Sequence, residues 1–122
     1  MKYLSCFFLS FILTLNSLYS QCNQETITYD NGNYIGCINY EGEKHGKGVL
    51  TSNLETQIQI KEGIFENDNF IKGTLTVKFF SGSTNTILYS NYPSDVIESE
   101  LYQWSNGDKL RTLYSGGKKI KE

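Results

Sequence analysis

Two stretches of the chain share one short pattern, and this repetition restricts the fold more than any other feature. Residues 34–51 read YIGCINYEGEKHGKGVLT, and residues 62–76 read EGIFENDNFIKGTLT. Each contains an aromatic strand, a punctuated turn and a strand that ends in Leu-Thr. The GVLT at 48–51 lies 25 residues before the GTLT at 73–76, and three such steps carry YDNG at 29–32 onto WSNG at 104–107. A shared period of this length predicts a stack of similar hairpin units.

The composition after residue 31 favours an all-β fold. All 11 glycines lie in this part, the single proline is Pro93, and long amphipathic helical runs are absent. Short alternating runs punctuated by glycine are typical of antiparallel sheets. A lone hairpin is too small to bury a face, so we expect hairpins joined edge to edge. The predicted domain is one meandering antiparallel sheet over residues 24–119, followed by a polar tail at 120–122.

Turn residues divide this domain into strands. Asn31-Gly32 predicts a tight turn with positive φ, and Asn67-Asp68-Asn69 predicts another. Between them, Gly42 and the segment Gly46-Lys47-Gly48 are expected to reverse the chain. The expected strands cover 26–29, 33–40, a segment that starts at Val49, 56–60, 70–80 and 86–92.

The sequence leaves two structures open for residues 94–103. Asp95 followed by Glu98 could cap a short helix. Residues 99–104 could instead pair with residues 108–114 across Asn106-Gly107. We favour the hairpin, because Asn-Gly between two aromatic-rich runs is the stronger local signal.

The first 20 residues have the order of a secretory signal peptide. Lys2 is followed by an apolar run from Tyr3 to Leu15 and by a more polar, small-residue segment that ends at Ser20. We expect a helical signal peptide over residues 1–20, and hence a periplasmic or secreted protein. Two alternatives stay open, a membrane anchor and a lipoprotein attached through Cys22. In an exported chain, Cys22 and Cys37 could form a disulfide or remain as free thiols.

The charge of the chain argues against nucleic acid as a partner. The sequence carries 13 acidic and 11 basic residues, a formal charge of −2, and it becomes more acidic once Lys2 is removed with the signal peptide. Phosphate binding requires a basic surface. A C-terminal basic cluster could touch anionic lipid or could be an ordinary solvated end; it consists of Lys109, Arg111, Lys118, Lys119 and Lys121.

The repeated unit resembles the MORN repeat family. The likeness rests on Tyr34-Ile35-Gly36, on His45-Gly46-Lys47-Gly48 and on Gly63-Ile64-Phe65-Glu66-Asn67. The first unit is one residue too long, the second lacks His-Gly, and the likeness weakens after residue 86. The resemblance implies a sheet of stacked hairpins that holds a partner, and an association with phospholipid. Its motif residues are Tyr34, Gly36, Gly42, His45, Gly46, Gly48, Gly63, Phe65, Asn67 and Gly73.

The sequence offers no standard catalytic set. His45 is the only histidine, and its expected place is a turn, hydrogen-bonded to backbone. A zinc site built on Cys22, Cys37 and His45 would match no usual spacing.

Two carboxylate pairs, Glu41/Glu43 and Glu98/Glu100, have the period-two spacing that places both members on one face of a strand. Such pairs could serve glycoside hydrolysis, but no apolar pocket is evident to raise one pKa. We therefore expect no catalytic residues, no metal and no cofactor. The favoured function is a non-enzymatic interaction or scaffold module whose partner is another protein, with a membrane-associated module and a hydrolase as the alternatives.

Overall fold

The chain forms one antiparallel sheet in which sequence neighbours are also spatial neighbours. The computed structural model describes residues 22–92, 96–115 and 118–121, and the predicted signal peptide lies outside these residues. Nine strands pair in the order β1 to β9, and the described residues contain no helix. This confirms an all-β, meandering, single open sheet. The strands are β1 Asn23–Tyr29, β2 Gly32–Ile38, β3 Lys44–Asn53, β4 Gln57–Glu66, β5 Asn69–Phe79, β6 Thr84–Asn91, β7 Val96–Gln103, β8 Lys109–Ser115 and β9 Lys118–Lys121.

Three hairpin loops share one geometry that explains their glycines. In the β2–β3 loop, Asn39 N donates to Glu43 O at 2.9 Å and Gly42 N donates to Asn39 O at 3.0 Å. The same pair of bonds recurs in the β5–β6 and β7–β8 loops. The third loop residue is a glycine with φ of 81° at Gly42, 99° at Gly82 and 94° at Gly107. This is the three-residue hairpin whose last position is left-handed, where a side chain would be strained.

The β4–β5 connection is tighter. Asn67 and Asp68 have φ of 48° and 70°, as a two-residue type I′ turn requires, and both residue types tolerate that conformation. The turn predicted at Asn67-Asp68 is therefore confirmed.

Several glycines have structural roles that differ from the predicted ones. Gly46-Lys47-Gly48 does not reverse the chain: it lies inside β3, and the turn is formed by the preceding residues 39–43. Gly32 does not supply a positive φ at the β1–β2 turn. A Cβ on Gly32 would instead clash with the carbonyl oxygen of Thr51 on β3. Gly32 and Gly48 allow close approach between strands, and Gly46 adopts a φ of 93° inside β3, roles that sequence alone does not distinguish from turn formation.

The 25-residue period corresponds to one pair of strands. The turns after β1, β3, β5 and β7 lie at the same end of the sheet. Hydrogen bonds link neighbouring turns: Asn53 N donates to Asn31 O at 2.6 Å, and Phe80 N donates to Thr56 O at 3.2 Å. A repeated hairpin arrangement is thus present. The predicted pairing of residues 99–104 with 108–114 is confirmed over 99–103 and 109–113. Strand β9 includes residues 120 and 121, which were expected in a polar tail.

The core lies on one face of the N-terminal half of the sheet. Tyr34, Phe65 and Phe70 are its buried centre, with Ile27, Ile38, Leu50 and Tyr92 packed around them. We call the face that carries Tyr34 the first face and the opposite one the second face. Side chains alternate along a strand and directly opposed residues share a face, so the register assigns each residue to one of them.

Candidate functional site

An aromatic row crosses the first face and contains two of the motif residues. Ring centroids are 5.1 Å apart for Tyr34–Phe65, 5.4 Å for Phe65–Phe70, 5.3 Å for Phe70–Tyr92 and 5.0 Å for Tyr92–Tyr89. The Tyr34–Phe65 and Tyr89–Tyr92 pairs meet edge to face, which aromatic rings prefer. Tyr34 and Phe65 are therefore core residues. Burial raises the pKa of Tyr34, whose hydroxyl donates to Cys37 O at 2.7 Å.

Four motif glycines form a row beneath these rings. The register opposes Gly36 to Gly48, Gly48 to Gly63 and Gly63 to Gly73 across β2 to β5. A Cβ on Gly48 would enter the Tyr34 ring, and a Cβ on Gly63 or Gly73 would strike backbone of the facing strand. The missing side chain on β3 lets Tyr34 of β2 reach Phe65 of β4. The glycine row thus leaves the space into which the aromatic row packs.

The remaining motif residues tie the β4–β5 turn to β3. His45 lies in β3, not in a turn as expected, and its Nδ1 accepts from Asn67 N at 3.4 Å. Beside it, Asp68 Oδ1 accepts from Lys44 N at 2.9 Å and lies 3.2 Å from Lys44 Nζ. Lys44 Nζ also donates to Tyr29 OH at 3.1 Å. These bonds join successive hairpins and leave His45 in a structural setting.

The charges of Lys44 and Asp68 stabilise one another. The backbone hydrogen bond from Lys44 lowers the pKa of Asp68, and the ammonium adds to that effect against a smaller opposing one from burial. Burial works to lower the pKa of Lys44, but its bonds to Tyr29 and Asp68 outweigh burial, so the pKa is raised. Both groups are held in their charged forms.

Cys22 and Cys37 form a disulfide that connects the residue before β1 to β2, with a Cα–Cα distance of 5.4 Å. Neither sulfur is then a thiolate that could bind zinc, and a disulfide sulfur cannot carry a thioether-linked lipid. Among the described residues, no group of three or more His, Cys, Asp and Glu side chains is placed to hold a metal ion.

The first carboxylate pair does not occupy the expected position, whereas both members of the second pair lie in β7. Glu41 and Glu43 lie in the β2–β3 loop and not on one face of a strand, and both backbone amides donate to Asn39 Oδ1 at 3.0 Å. A side-chain hydrogen bond with Glu43 raises the pKa of the fully exposed Glu41. Glu100 of the second pair takes part in a structured site.

Glu100 lies in an open cleft on the first face of the C-terminal half, which sequence reasoning missed. The cleft measures about 300 Å³ and is formed by Glu100, Tyr102, Trp104, Leu110 and Thr112. We call it the Glu100 cleft. The register opposes Glu100 to Thr112 and Tyr102 to Leu110. The signal in the sequence is an alternation, Glu100-x-Tyr102-x-Trp104 before the turn and Leu110-x-Thr112 after it.

The second face carries aliphatic side chains on several strands, and on β5 it carries polar ones, namely Lys72, Thr74, Thr76 and Lys78. Ile35 is 46% exposed and Leu88 is 36% exposed, and both belong to one cross-strand row. Within the described residues no second layer of structure covers this face. The other aliphatic members are Val49, Ile58, Ile60, Ile64, Leu101 and Leu113.

Comparison with protein-family models, with curated proteins and with solved structures finds no match to this chain. The part of the chain that the structure describes contains no helix long and apolar enough to cross a membrane.

Proposed function

We propose that this chain is an exported, non-enzymatic MORN-type repeat protein that binds another protein through the side chains of its sheet. Three observations support the proposal. The first 20 residues have the composition of a signal peptide, the hairpins recur with a 25-residue period, and Gly48 and Tyr34 give the motif a packing role. The motif residues are used to build the sheet, which leaves binding to other positions on its surface.

The observation that carries the proposal is the uncovered second face. A single layer leaves the aliphatic side chains of both faces in contact with water unless something covers them. Contiguous apolar surface on a soluble protein commonly marks an interaction site. Ile35 and the opposed Val49 provide apolar surface at one end of this face, and Leu88 lies farther along the same row beyond Glu62 and Thr74, whereas the first face is partly filled by its own aromatic row.

Site-specific photo-crosslinking of the full chain in its native cells tests the proposal. A photoreactive phenylalanine analogue at position 88 reports on the second face. The same analogue at position 40, the loop tip where Tyr40 is 98% exposed, is the matched control. We expect a discrete cross-linked protein from position 88 and none from position 40, and Leu88→Asp should reduce complex formation. An exported chain that gives no cross-linked product from position 88 would contradict the proposal.

A second candidate function is association with anionic membranes. Five basic residues with exposed side chains lie on the neighbouring strands β8 and β9, namely Lys109, Arg111, Lys118, Lys119 and Lys121, and the exposed Ile120 lies among them. Clustered basic residues bind anionic lipid at roughly 1 kcal/mol each near the surface. Flotation of the full chain with anionic vesicles at low salt tests this function, with Lys118→Glu/Lys121→Glu as the variant and neutral vesicles as the control. Absence of flotation with anionic vesicles rejects it.

A further inference from the structure

The lining of the Glu100 cleft includes a carboxylate that is held in place by hydrogen bonds. Asn85 Nδ2 donates to Glu100 Oε1 at 2.8 Å, and Tyr114 OH donates to Glu100 Oε2 at 3.1 Å. From the described residues each carboxylate oxygen accepts one such bond, which leaves it a second lone pair for a ligand. The Tyr114 hydroxyl keeps its proton for this bond, because burial and the bond to Glu100 both raise its pKa.

Hydrogen-bond acceptors are in excess around this carboxylate. The side-chain oxygen of Asn85, which lies directly opposite Tyr102 in the register, is buried and has no hydrogen-bond partner among the described residues. A buried acceptor without a partner costs about 1–3 kcal/mol. A surplus of acceptors beside an anion favours a ligand that brings donors and positive charge.

The walls of the cleft suit a flat cation. Tyr102 and Trp104 meet edge to face with centroids 4.8 Å apart, and Trp104 is 43% exposed. Cations are attracted to the faces of aromatic rings, most strongly to tryptophan. The guanidinium group is planar, carries five donors and stacks on aromatic rings, whereas an ammonium is a compact and strongly hydrated charge.

We propose that the Glu100 cleft binds an arginine side chain of the protein partner, with the guanidinium against Glu100 and its plane on the Tyr102–Trp104 wall. The proposal rests on the proposed protein-binding function and names the chemistry that one part of the partner supplies. Charge complementarity selects the occupant: a carboxylate with aromatic walls matches a cation, and the donor count and planarity select guanidinium over ammonium.

Trp104 is the only tryptophan in the chain, so its fluorescence reports on this cleft directly. The full chain is titrated with N-acetyl-arginine amide, with N-acetyl-citrulline amide as the uncharged analogue of equal shape. We expect a saturable change with the arginine probe alone. Glu100→Gln should weaken binding about tenfold, as loss of a charge-assisted bond implies. Glu62→Gln, a carboxylate change on the second face, should leave it unchanged, and circular dichroism verifies that each variant is folded.

Three results would overturn the proposal. They are equal binding of the citrulline probe, unchanged binding by Glu100→Gln, and equal or tighter binding of N-acetyl-lysine amide. A second variant, Trp104→Ala, should also bind the arginine probe more weakly, which calorimetry measures. The amide titration is independent of the photo-crosslinking. Cross-linking at position 88 with no amide binding removes only this inference, whereas amide binding with no cross-linked protein at any position rejects a protein as the source of the arginine.

Discussion

At the scale of single residues, glycine has two separate roles in this sheet. Gly42 has a φ of 81° and nothing within 4 Å of the position a Cβ would take, so it is required by backbone conformation. Gly48 has no such φ, but its Cβ position lies inside the ring of the buried Tyr34. Glycine is therefore required at position 48 because the Tyr34 ring leaves no space for a side chain. The two positions can be tested against each other because each isolates one cause.

We expect Gly48→Ala to destabilise the protein by about 1–3 kcal/mol, since Tyr34 must move out of a well-packed site. Gly42→Ala should cost about 1 kcal/mol, from the strained left-handed conformation alone. Chemical denaturation monitored by circular dichroism measures both. An effect of Gly48→Ala smaller than that of Gly42→Ala would contradict the packing role of the glycine row.

The Lys44–Asp68 pair should give the stability a modest dependence on pH. The pKa of Asp68 is lowered in the folded state, so its contribution is present above the unfolded-state pKa and is lost as the pH falls through the folded-state pKa. Asp68→Asn keeps the left-handed turn and an acceptor for Lys44 N but removes the charge. At neutral pH we expect the variant to be less stable by at most about 1 kcal/mol, because Asp68 is half exposed.

The difference between wild type and Asp68→Asn should vanish in acid, where the wild-type carboxylate is protonated as well. Denaturation curves at neutral and acidic pH supply the comparison. A difference that persists unchanged below the folded-state pKa would show that the charge is not its source.

At the scale of elements, the disulfide is the covalent link that holds the edge strand β1 to the sheet. Cys22 and Cys37 are 15 residues apart, and closing a loop of this size contributes about 3 kcal/mol. We expect a reducing agent to lower the melting temperature by about 10 °C or more. The double variant Cys22→Ala/Cys37→Ala should melt at the reduced value with or without the reductant. An identical melting temperature for the oxidised and reduced wild type would contradict this role.

The sequence predicts those elements whose cause is local. Asn67-Asp68 and Asn106-Gly107 were recognisable because the residue at a left-handed position determines the turn, whatever the distant chain does. Gly46 and Gly48 were misassigned to a turn because the ring that Gly48 accommodates comes from Tyr34 on another strand. Crowding across strands is not a local property, so the residue type alone does not report it.

The Glu100 cleft was missed for the same reason. The sequence predicts Glu100 only as one of a pair with Glu98, and Trp104 only as the end of the expected strand 99–104 and the start of the WSNG match. The cleft exists because the β7–β8 register brings Leu110 and Thr112 opposite Tyr102 and Glu100. The pairing itself was predictable from Asn106-Gly107, but the exact register depends on the three-residue loop, which the sequence did not distinguish from a two-residue one.

At the scale of the whole molecule, the sheet is close to one-dimensional. The extensive contacts between strands join consecutive pairs, and the buried aromatic centre lies in the N-terminal half. In such an array the effect of a destabilising change decreases with distance along the stack.

Hydrogen exchange of Gly48→Ala tests this property. Amide exchange should accelerate most in β2 to β5, and the β7–β8 pair should change by about twofold or less. Uniform acceleration over all strands would show that the sheet unfolds as one cooperative unit.

The central claim is that nine consecutive strands form one layer whose second face is left uncovered by the described residues. Cross-strand backbone NOEs in isotope-labelled protein test it most directly. We expect NOEs that link Gly36 to Gly48, Gly48 to Gly63 and Gly63 to Gly73, and Ser99 to Leu113 at the other end of the sheet. Backbone NOEs between strands that are not consecutive, or long-range side-chain NOEs that place a second layer over Ile35 and Leu88, would contradict the account.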